Sequence, residues 1–401
     1  MSGFDDPSPG PSSSSSSSSG PGSATSTPAQ AQRQLLTKAE TLFTEALQHN
    51  PQSLQAIVGL AKISRAKGDL DDCKAHARKV LSADPSVSEA AIMLSDAMFH
   101  SRDEAEKERA AEPLEALLKA APSDYGALER LVGQYRRAGK LDQVTPFLKA
   151  AVAHDGRAEA QPGYHFCVGL YARYVNDVGK AIAELNLARR DEEWGESALV
   201  NMIELYLNPN QDHSWEEVSH KGDGSGGGSS GGAERGPLDE ASAENIAAAD
   251  TLMRELRAVA TDRRRVKVLE AYCLLATRSK TNVDKAMSAL TALLDQDQDY
   301  IPAILGTAVG FIVEGNKHKA QNLLKRVAKV DASDGMVLVT GAANDFTRAS
   351  LLLARFYVEK SKFDLAQDIC KRVLAENKSS SSAWDVLGSV MEKEGDYDKA
   401  G

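Results

Sequence analysis

The feature that most constrains the fold of this chain is a pattern of small and large apolar residues that recurs near its end. Ser350 to Tyr357 place such residues at the three- and four-residue spacing of one helix face, and Trp384 to Met391 repeat that arrangement. Each position in the second stretch lies 34 residues after its counterpart, which is the length of one helix–turn–helix unit. Small side chains recur where two antiparallel helices must approach closely, and large ones fill the space to the next unit. The predicted packing positions of these two units are Ala354, Ala366, Trp384, Gly388 and Ala400.

The small residue of the second helix can be followed upstream through the whole chain. Most of its recurrences are 34 residues apart or a few more, and one long gap precedes Ala286. This period predicts an all-α fold, a tetratricopeptide repeat α-solenoid in which antiparallel helix pairs stack into a right-handed superhelix. We expect eight complete pairs, a leading single helix and a final unit truncated in its second helix, as in a piece of a longer repeat protein. The upstream packing positions are Ala39, Cys73, Ala110, Ala181, Ala286 and Ala320.

Composition divides the chain into four parts. Residues 1–30 are rich in Ser, Pro and Gly and have almost nothing to bury, so we expect a disordered tail. Residues 33–211 carry the first part of the solenoid, and residues 238–401 carry the second part. Between them, residues 212–237 form a Gly/Ser-rich flexible loop inside one helix pair, which is tolerable because the cost of loop closure grows slowly with length. A further insertion is expected at residues 331–344.

Charge, hydropathy and cysteine spacing argue against several classes of protein. The chain carries 57 acidic and 47 basic residues, whereas a protein that binds nucleic acid usually has a basic excess. No apolar run is long enough to span a membrane and no signal peptide is evident, so we expect no membrane insertion and a cytoplasmic location. The four cysteines form no Cys-x-x-Cys pair, which disfavours a zinc site or disulfide framework and favours a reducing compartment.

Two short motifs resemble ligand-binding sequences but lack features that ligand binding requires. Residues 222–227 match the spacing of a dinucleotide-binding loop, but no strand precedes them and the surrounding sequence is mostly Gly and Ser. Residues 295–299 resemble the start of a calcium loop, but Tyr300 stands where Gly is needed and Gly306 where a bidentate Glu is needed. No nucleophile–base pair or His/Cys cluster is apparent. We therefore predict no enzyme, no cofactor, no metal site and no small-molecule substrate.

Function in such a solenoid is expected on the surface that its helices present to partners. Stacked pairs curl so that their first helices line a concave face, and charged residues there are candidates for partner contact. The basic stretch from Arg263 to Lys267 is predicted to be a solvated helix start, with a nuclear signal or a contact to an acidic partner as alternatives. The candidate partner-contact residues are Glu129, Arg136, Arg137, Glu204, Arg348 and Arg355.

Several short runs are more specific than the general repeat pattern. They are Pro162-Gly163-Tyr164, Cys167 to Tyr171, Trp194-Gly195, Asn201 to Glu204 and Leu207-Asn208-Pro209. On these runs the chain resembles the tetratricopeptide repeat protein 21 family, which is the large repeat subunit of intraflagellar transport complex A. The resemblance begins at about residue 33, continues to the end, and corresponds to an interior-to-late part of that long protein.

The resemblance implies a non-catalytic scaffold that acts in retrograde ciliary transport and in the entry of cargo into cilia. Its partners would be the other subunits of intraflagellar transport complex A and ciliary cargo adaptors, with no nucleic acid among them. Its location would be the cytoplasm, the cilium or flagellum, and the basal body. The serine tail, the Gly/Ser-rich loop and the insertion near residue 336 depart from the family pattern.

Two other functions remain open: a generic tetratricopeptide repeat adaptor or co-chaperone outside cilia, and the substrate-binding arm of a larger enzyme. Co-chaperone repeats clamp a carboxylate with a Lys one place after the aromatic position and an Asn five places after it. The first place here is never Lys and holds residues such as Val58 and Phe166, and the second is never Asn and holds residues such as Asp96 and Leu170. This disfavours a carboxylate clamp, and an enzyme arm would need a catalytic domain outside this sequence.

Overall fold

The computed structural model describes the repeat region of the chain. The predicted tail up to residue 27, the Gly/Ser-rich loop, the insertion before residue 343 and the packing position Ala400 lie outside the described residues. The described residues are 28–101, 103–207, 240–329 and 343–394.

Helices account for the regular structure of the described residues, which include no β-strand. The first helix ends at His49, two residues before Pro51, whose ring and missing N–H prevent the helix from continuing. The helices are α1 (Pro28–His49), α2 (Leu54–Lys67), α3 (Leu70–Ala83), α4 (Ser88–Phe99), α5 (Glu104–Glu108), α6 (Glu112–Ala120), α7 (Tyr125–Ala138), α8 (Thr145–His154), α9 (Pro162–Tyr174), α10 (Val178–Ala188), α11 (Gly195–Leu207), α12 (Glu240–Val259), α13 (Arg263–Ala276), α14 (Lys280–Gln296), α15 (Ile301–Val313), α16 (Lys317–Val327), α17 (Ala343–Glu359), α18 (Phe363–Glu376) and α19 (Ser381–Glu394).

The helices pack as the spacing predicts, and the tetratricopeptide repeat solenoid is confirmed. Each first helix packs on its second helix, and each second helix packs on the first helix of the next unit. In the unit that begins with α7, a 3-10 segment, Leu141–Val144, makes the contact and leads into α8. The pairs in the described residues are α2/α3, α4/α6, α7/α8, α9/α10, α11/α12, α13/α14, α15/α16 and α17/α18, with α1 before them and α19 after them.

In six of the helix pairs in the described residues, the chain reverses between the two helices through one residue in the left-handed conformation. Gly68, Gly139 and Gly315 hold this position in three units, with φ of 82°, 73° and 81°. Glycine adopts this conformation without the steric clash that a Cβ causes. In three other units the position carries a side chain: Asn176, Arg278 and Ser361, with φ of 64°, 53° and 55°.

Small side chains let the two helices of a unit approach closely. At the crossing of α9 and α10, a Cβ on Gly169 would lie 2.8 Å from Cγ of Leu185 and 3.2 Å from its backbone nitrogen. The crossing therefore has no room for an added methyl group at Gly169. The predicted packing residues that are at most 1% exposed are Cys73, Ala110, Ala181, Ala286, Ala320, Ala354 and Ala366.

Trp384 differs from its predicted packing role. Its side chain is 58% exposed, and its indole N–H donates to the backbone carbonyl of Lys378 at 3.1 Å. The physical reason is that α19 packs against α17 and α18, while no helix of the described residues covers the face that carries Trp384. Ala39 and Gly388 are half-buried because they lie on the first and last described helices.

The stack curls until one part of it contacts another. The turn between α18 and α19 meets the end of α7, where the Ser379 hydroxyl donates to the carbonyl of Arg136, 243 residues away. Lys378 donates its backbone N–H to the carbonyl of Arg137 at 2.8 Å. A Cβ on Gly139 would lie 3.6 Å from the Cβ of Lys378. These contacts close a ring of units, so the first helices from α7 to α19 surround a common interior.

Candidate functional site

A cavity of about 440 Å³ occupies the interior that these first helices surround. Its walls combine apolar side chains, such as Phe166 and Leu269, with an unusual number of charged ones. Because successive first helices face the same axis, residues far apart in sequence meet there. The charged lining residues are Arg136, Arg173, Arg265, Arg348, Arg355, Glu129, Glu204, Asp262 and Asp345.

Glu204 of α11 lies at the centre of an ion cluster in this cavity. Arg173 of α9 donates from Nη2 to Glu204 Oε2 at 2.9 Å, and Arg265 of α13 donates from Nη2 to Glu204 Oε1 at 2.8 Å. Arg348 of α17 places its Nη2 3.6 Å from Oε2. One carboxylate therefore connects the first helices of four different units.

Asp345 of α17 is the second carboxylate of the cluster and is only 2% exposed. It accepts a hydrogen bond from Arg265, and Nη1 of Arg348 lies 3.8 Å from its Oδ1. Arg173 also donates to the side-chain carbonyl of Asn201. Two carboxylates thus face three guanidinium groups, which leaves this cluster with one formal positive charge.

The cluster fixes the charge state of its members. Burial raises the pKa of Glu204, but the guanidinium groups of Arg348, Arg173 and Arg265 outweigh burial and hold that pKa well below its usual range. For Arg265, burial lowers the pKa, but Asp345 and Glu204 raise it above the usual value. Glu204 is therefore ionised at neutral pH in a site that excludes most of the solvent.

Arg136 and Arg137 follow each other at the end of α7 but lie in different surroundings. The guanidinium of Arg136 lines the cavity and lies over the ring of Tyr174, 4.2 Å from its centroid. Arg137 is not among the lining residues, and its guanidinium lies 4.9 Å from the ring centroid of Phe99, where burial lowers its pKa. The concave surface thus includes Arg136, while Arg137 packs between units.

Glu129 and Arg355, the other two candidates, also line the cavity. Burial raises the pKa of Glu129, which favours the neutral acid. Arg355 places Nη2 4.0 Å from the carboxylate of Asp385. The structure thus gathers five of the six candidates around one cavity, and their contact with a partner stays a prediction.

Comparison with known families identifies the repeats. Residues 248–401 match the model described as the Tetratricopeptide repeat protein 21 C-terminal ARM domain, and residues 88–207 match the TT21 fifth ARM repeats domain. The chain belongs to the tetratricopeptide repeat protein 21 family. Residues 31–97 match a general tetratricopeptide repeat model, in agreement with the packing of the helices. A repeat solenoid of this family is a protein-interaction scaffold.

Individual relatives are much longer than this chain. Tetratricopeptide repeat protein 21B of Xenopus laevis is 31% identical over 364 residues, which are 90% of this chain and 26% of that protein. The human protein of the same name is 35% identical over 276 residues, 68% of this chain and 20% of that protein. The chain therefore spans about a quarter of the length of the curated relatives it matches. Among solved structures, a tetratricopeptide repeat protein from Parabacteroides merdae matches with a TM-score of 0.44 and 12% identity, covering 85% of this chain and 99% of that chain.

The basic stretch at the start of α13 has a different role from the predicted solvated helix start. Arg264 lies over the ring of Tyr300, 3.9 Å from its centroid, and donates to Asp297 at 2.8 Å. Arg265 belongs to the ion cluster. Only Arg263 and Lys267 are exposed, as the prediction required. The correction follows from packing, because the N-terminal turn of α13 lies against the neighbouring unit.

The ion cluster contains three residues that sequence reasoning missed: Arg173, Arg265 and Asp345. Arg173 closely precedes the turn of its helix pair, and Asp345 lies at the edge of the predicted insertion. The sequence of a single helix predicts that Arg173 and Asp345 are polar residues exposed to solvent. Charged residues on the predicted inner faces of several first helices were the available signal, but the sequence does not show which charges meet.

Other side chains that could react or bind a ligand are either buried in the fold or paired with another side chain. All four cysteines are buried, and burial raises the pKa of the Cys73 thiol to about 11 and of Cys273 to about 12. Asp299 of the calcium-like motif pairs with Arg326 at 3.2 Å. In the part of the chain that the structure describes, no group of three or more His, Cys, Asp or Glu side chains is placed to hold a metal ion. No described helix combines the length and apolar character that crossing a membrane requires.

Proposed function

We propose that this chain is a non-catalytic scaffold of intraflagellar transport complex A and acts in retrograde ciliary transport and in the entry of cargo into cilia. The observation that carries the proposal is family membership, through two domain models that together span most of the solenoid. The partners would be the other subunits of the complex and ciliary cargo adaptors, and the location the cilium and basal body as well as the cytoplasm.

The physical support lies in the kind of surface that the fold provides. A stack of helix pairs buries its own core between neighbours and leaves long outer and inner faces for other proteins. Exposed apolar side chains on the end helices, such as Trp384 at 58% and Leu42 at 65%, provide apolar contact area at both ends of the described stack.

Affinity purification from ciliated cells tests the proposal. The tagged chain is expressed at low level, crosslinked and purified, and the recovered proteins are identified by mass spectrometry. We expect subunits of intraflagellar transport complex A to be enriched over cells that express the tag alone. Recovery of chaperones without transport subunits would contradict the proposal.

A disruptive variant and a matched control show whether recovery of the transport subunits depends on the folded solenoid. Ala354→Trp overfills a crossing in which Ala354 is completely buried, so it should disrupt the stack near α17. Lys371→Ala changes an exposed residue on the outer side of α18 and should leave the stack intact. Transport subunits should be lost with the first variant and retained with the second.

A further inference from the structure

Two guanidinium groups in the cavity have N–H donors that no described residue accepts. Arg348 approaches Glu204 at 3.6 Å and Asp345 at 3.8 Å, and both distances exceed a hydrogen bond. Within the described residues the Arg348 side chain forms no hydrogen bond, although it carries five N–H donors. Arg136 contacts the Tyr174 ring through the face of its guanidinium, and none of the described carboxylates lies within 4.0 Å of it.

The carboxylates that line the cavity do not cancel this excess of donors. Glu204 and Asp345 face three guanidinium groups. Asp262 caps α13 and accepts the backbone N–H groups of Arg264 and Arg265 at 2.9 and 3.1 Å. The fourth, Glu129, is the one for which burial favours the neutral acid.

The cavity is therefore a cationic, donor-rich site inside a chain whose net charge is -10. Its volume of about 440 Å³ lies in the range of small-molecule sites, roughly 300–1,000 Å³. The planar fork of arginine matches the oxygen atoms of phosphate, and such charge-assisted hydrogen bonds are the strong ones. Apolar side chains such as Leu269 and Leu305 line the same space and can contact a carbon framework.

We propose that the cavity binds a small, soluble anion that carries phosphate groups, held by the guanidinium groups of Arg136 and Arg348. The two residues belong to α7 and α17, on opposite sides of the contact that closes the ring, so the ligand would connect units that lie far apart in sequence. The ligand is bound and not converted, which agrees with the prediction of no small-molecule substrate. The inference goes beyond the proposed function and does not depend on it.

Isothermal titration calorimetry on the purified chain tests the inference with two probes, inorganic pyrophosphate and inositol hexakisphosphate. We expect at least one of them to bind with a one-to-one stoichiometry and a Kd well below about 1 mM. Raising the salt concentration should weaken the binding because the contacts are ionic. No binding of either probe at about 1 mM would overturn the inference.

Variants locate the site. Arg136→Gln should weaken binding ~10-fold or more, because it removes a guanidinium that is outside the ion cluster and whose loss leaves none of the described carboxylates unpaired. The matched control is Arg372→Gln on the outer side of α18, where Arg372 is 57% exposed and lies 3.5 Å from Asp368. The control should bind as the unchanged chain does.

Thermal unfolding distinguishes a loss of ligand binding from a loss of folding. The thermal unfolding curves of the two variants without ligand should match that of the unchanged chain, and bound probe should raise the Tm of the chain and of the control more than that of Arg136→Gln. Equal binding by all three proteins would show a non-specific surface effect and would overturn the inference.

Discussion

Replacing Glu204 by Gln is the most informative perturbation of the cavity, because it removes one charge while keeping the shape of the side chain. Glu204 accepts hydrogen bonds from Arg173 and Arg265 at 2.9 and 2.8 Å and attracts Arg348 at 3.6 Å. The variant leaves Asp345, which pairs with Arg265 and Arg348, as the one carboxylate of the cluster, so the formal charge of the cluster rises from one to two.

The expected cost follows from these contacts. Breaking a buried ion pair by removing one partner typically costs about 3–5 kcal/mol, because the remaining charge is left without compensation. The amide oxygen of Gln can still accept one hydrogen bond, and the Glu204 side chain is 13% exposed, so we place the loss near the lower end, at about 3 kcal/mol.

Urea unfolding followed by circular dichroism measures this loss. The control is Glu314→Gln, since Glu314 is exposed and no described cation pairs with it. Because repeat arrays can unfold in more than one step, the transition of the units from α9 to α17 is the relevant one. A change below about 0.5 kcal/mol for Glu204→Gln would refute the view that the cluster stabilises the ring.

The pH dependence of the unfolding free energy provides a second test of Glu204→Gln, and its direction follows from the pKa of Glu204. The folded-state pKa of Glu204 is depressed, so its contribution is fully present above the unfolded-state value of about 4.3 and is lost as the pH falls towards the folded-state pKa. The difference between the unchanged chain and Glu204→Gln should therefore be constant from pH 7 to about pH 5 and shrink below about pH 4. A stability difference that grows as the pH falls would contradict the conclusion that Glu204 is an ionised carboxylate paired with arginines.

Three further predictions concern the packing frame, each measured as the free energy of unfolding in urea. Ser361→Gly should stabilise the chain by about 0.5–1 kcal/mol, because the steric cost of a non-Gly residue at φ 55° exceeds the entropy cost of glycine. An unchanged free energy of unfolding would show that Ser361 is not strained at this turn. Gly169→Ala should destabilise it by about 1–3 kcal/mol, because the new methyl group would meet Leu185 at 2.8 Å. Ala354→Trp should cost at least as much, since Ala354 is fully buried at a helix crossing; an unchanged unfolding curve would reject the repeat frame.

The repeat fold could be predicted from sequence because its determinants are local. The period of 34 residues, the small side chains at crossings and the glycines at turns act within one unit or between neighbours. Gly68, Gly139 and Gly315 adopt the left-handed conformation that glycine permits at a reversal between two helices. The predicted packing role of Trp384 is wrong because its burial depends on whether a further helix covers α19, which the repeat frame alone does not determine.

The ion cluster could be predicted only in part because its geometry is not local. Glu204 and Arg348 were expected on the concave face, but their meeting requires the summed rotation of several units between α11 and α17. That rotation depends on small differences at each helix crossing, which residue spacing does not encode. For the same reason the sequence predicts a solvated helix start for the basic stretch containing Arg265, whereas Arg264 and Arg265 contact neighbouring units.

The closed ring of units is the central structural claim, and an engineered disulfide tests it most directly. A Cβ on Gly139 would lie 3.6 Å from the Cβ of Lys378, within the range of about 3.5–4.5 Å that a disulfide requires. Gly139→Cys combined with Lys378→Cys should therefore crosslink under mild oxidation, seen as faster migration on a non-reducing gel and as a linked peptide by mass spectrometry. Gly179→Cys combined with Lys378→Cys is the control, since no side chain or neighbouring backbone lies within 4 Å of a Cβ at Gly179. Efficient crosslinking of the first pair and not of the control is the predicted result, and a first pair that stays reduced in the folded protein would contradict the closed ring.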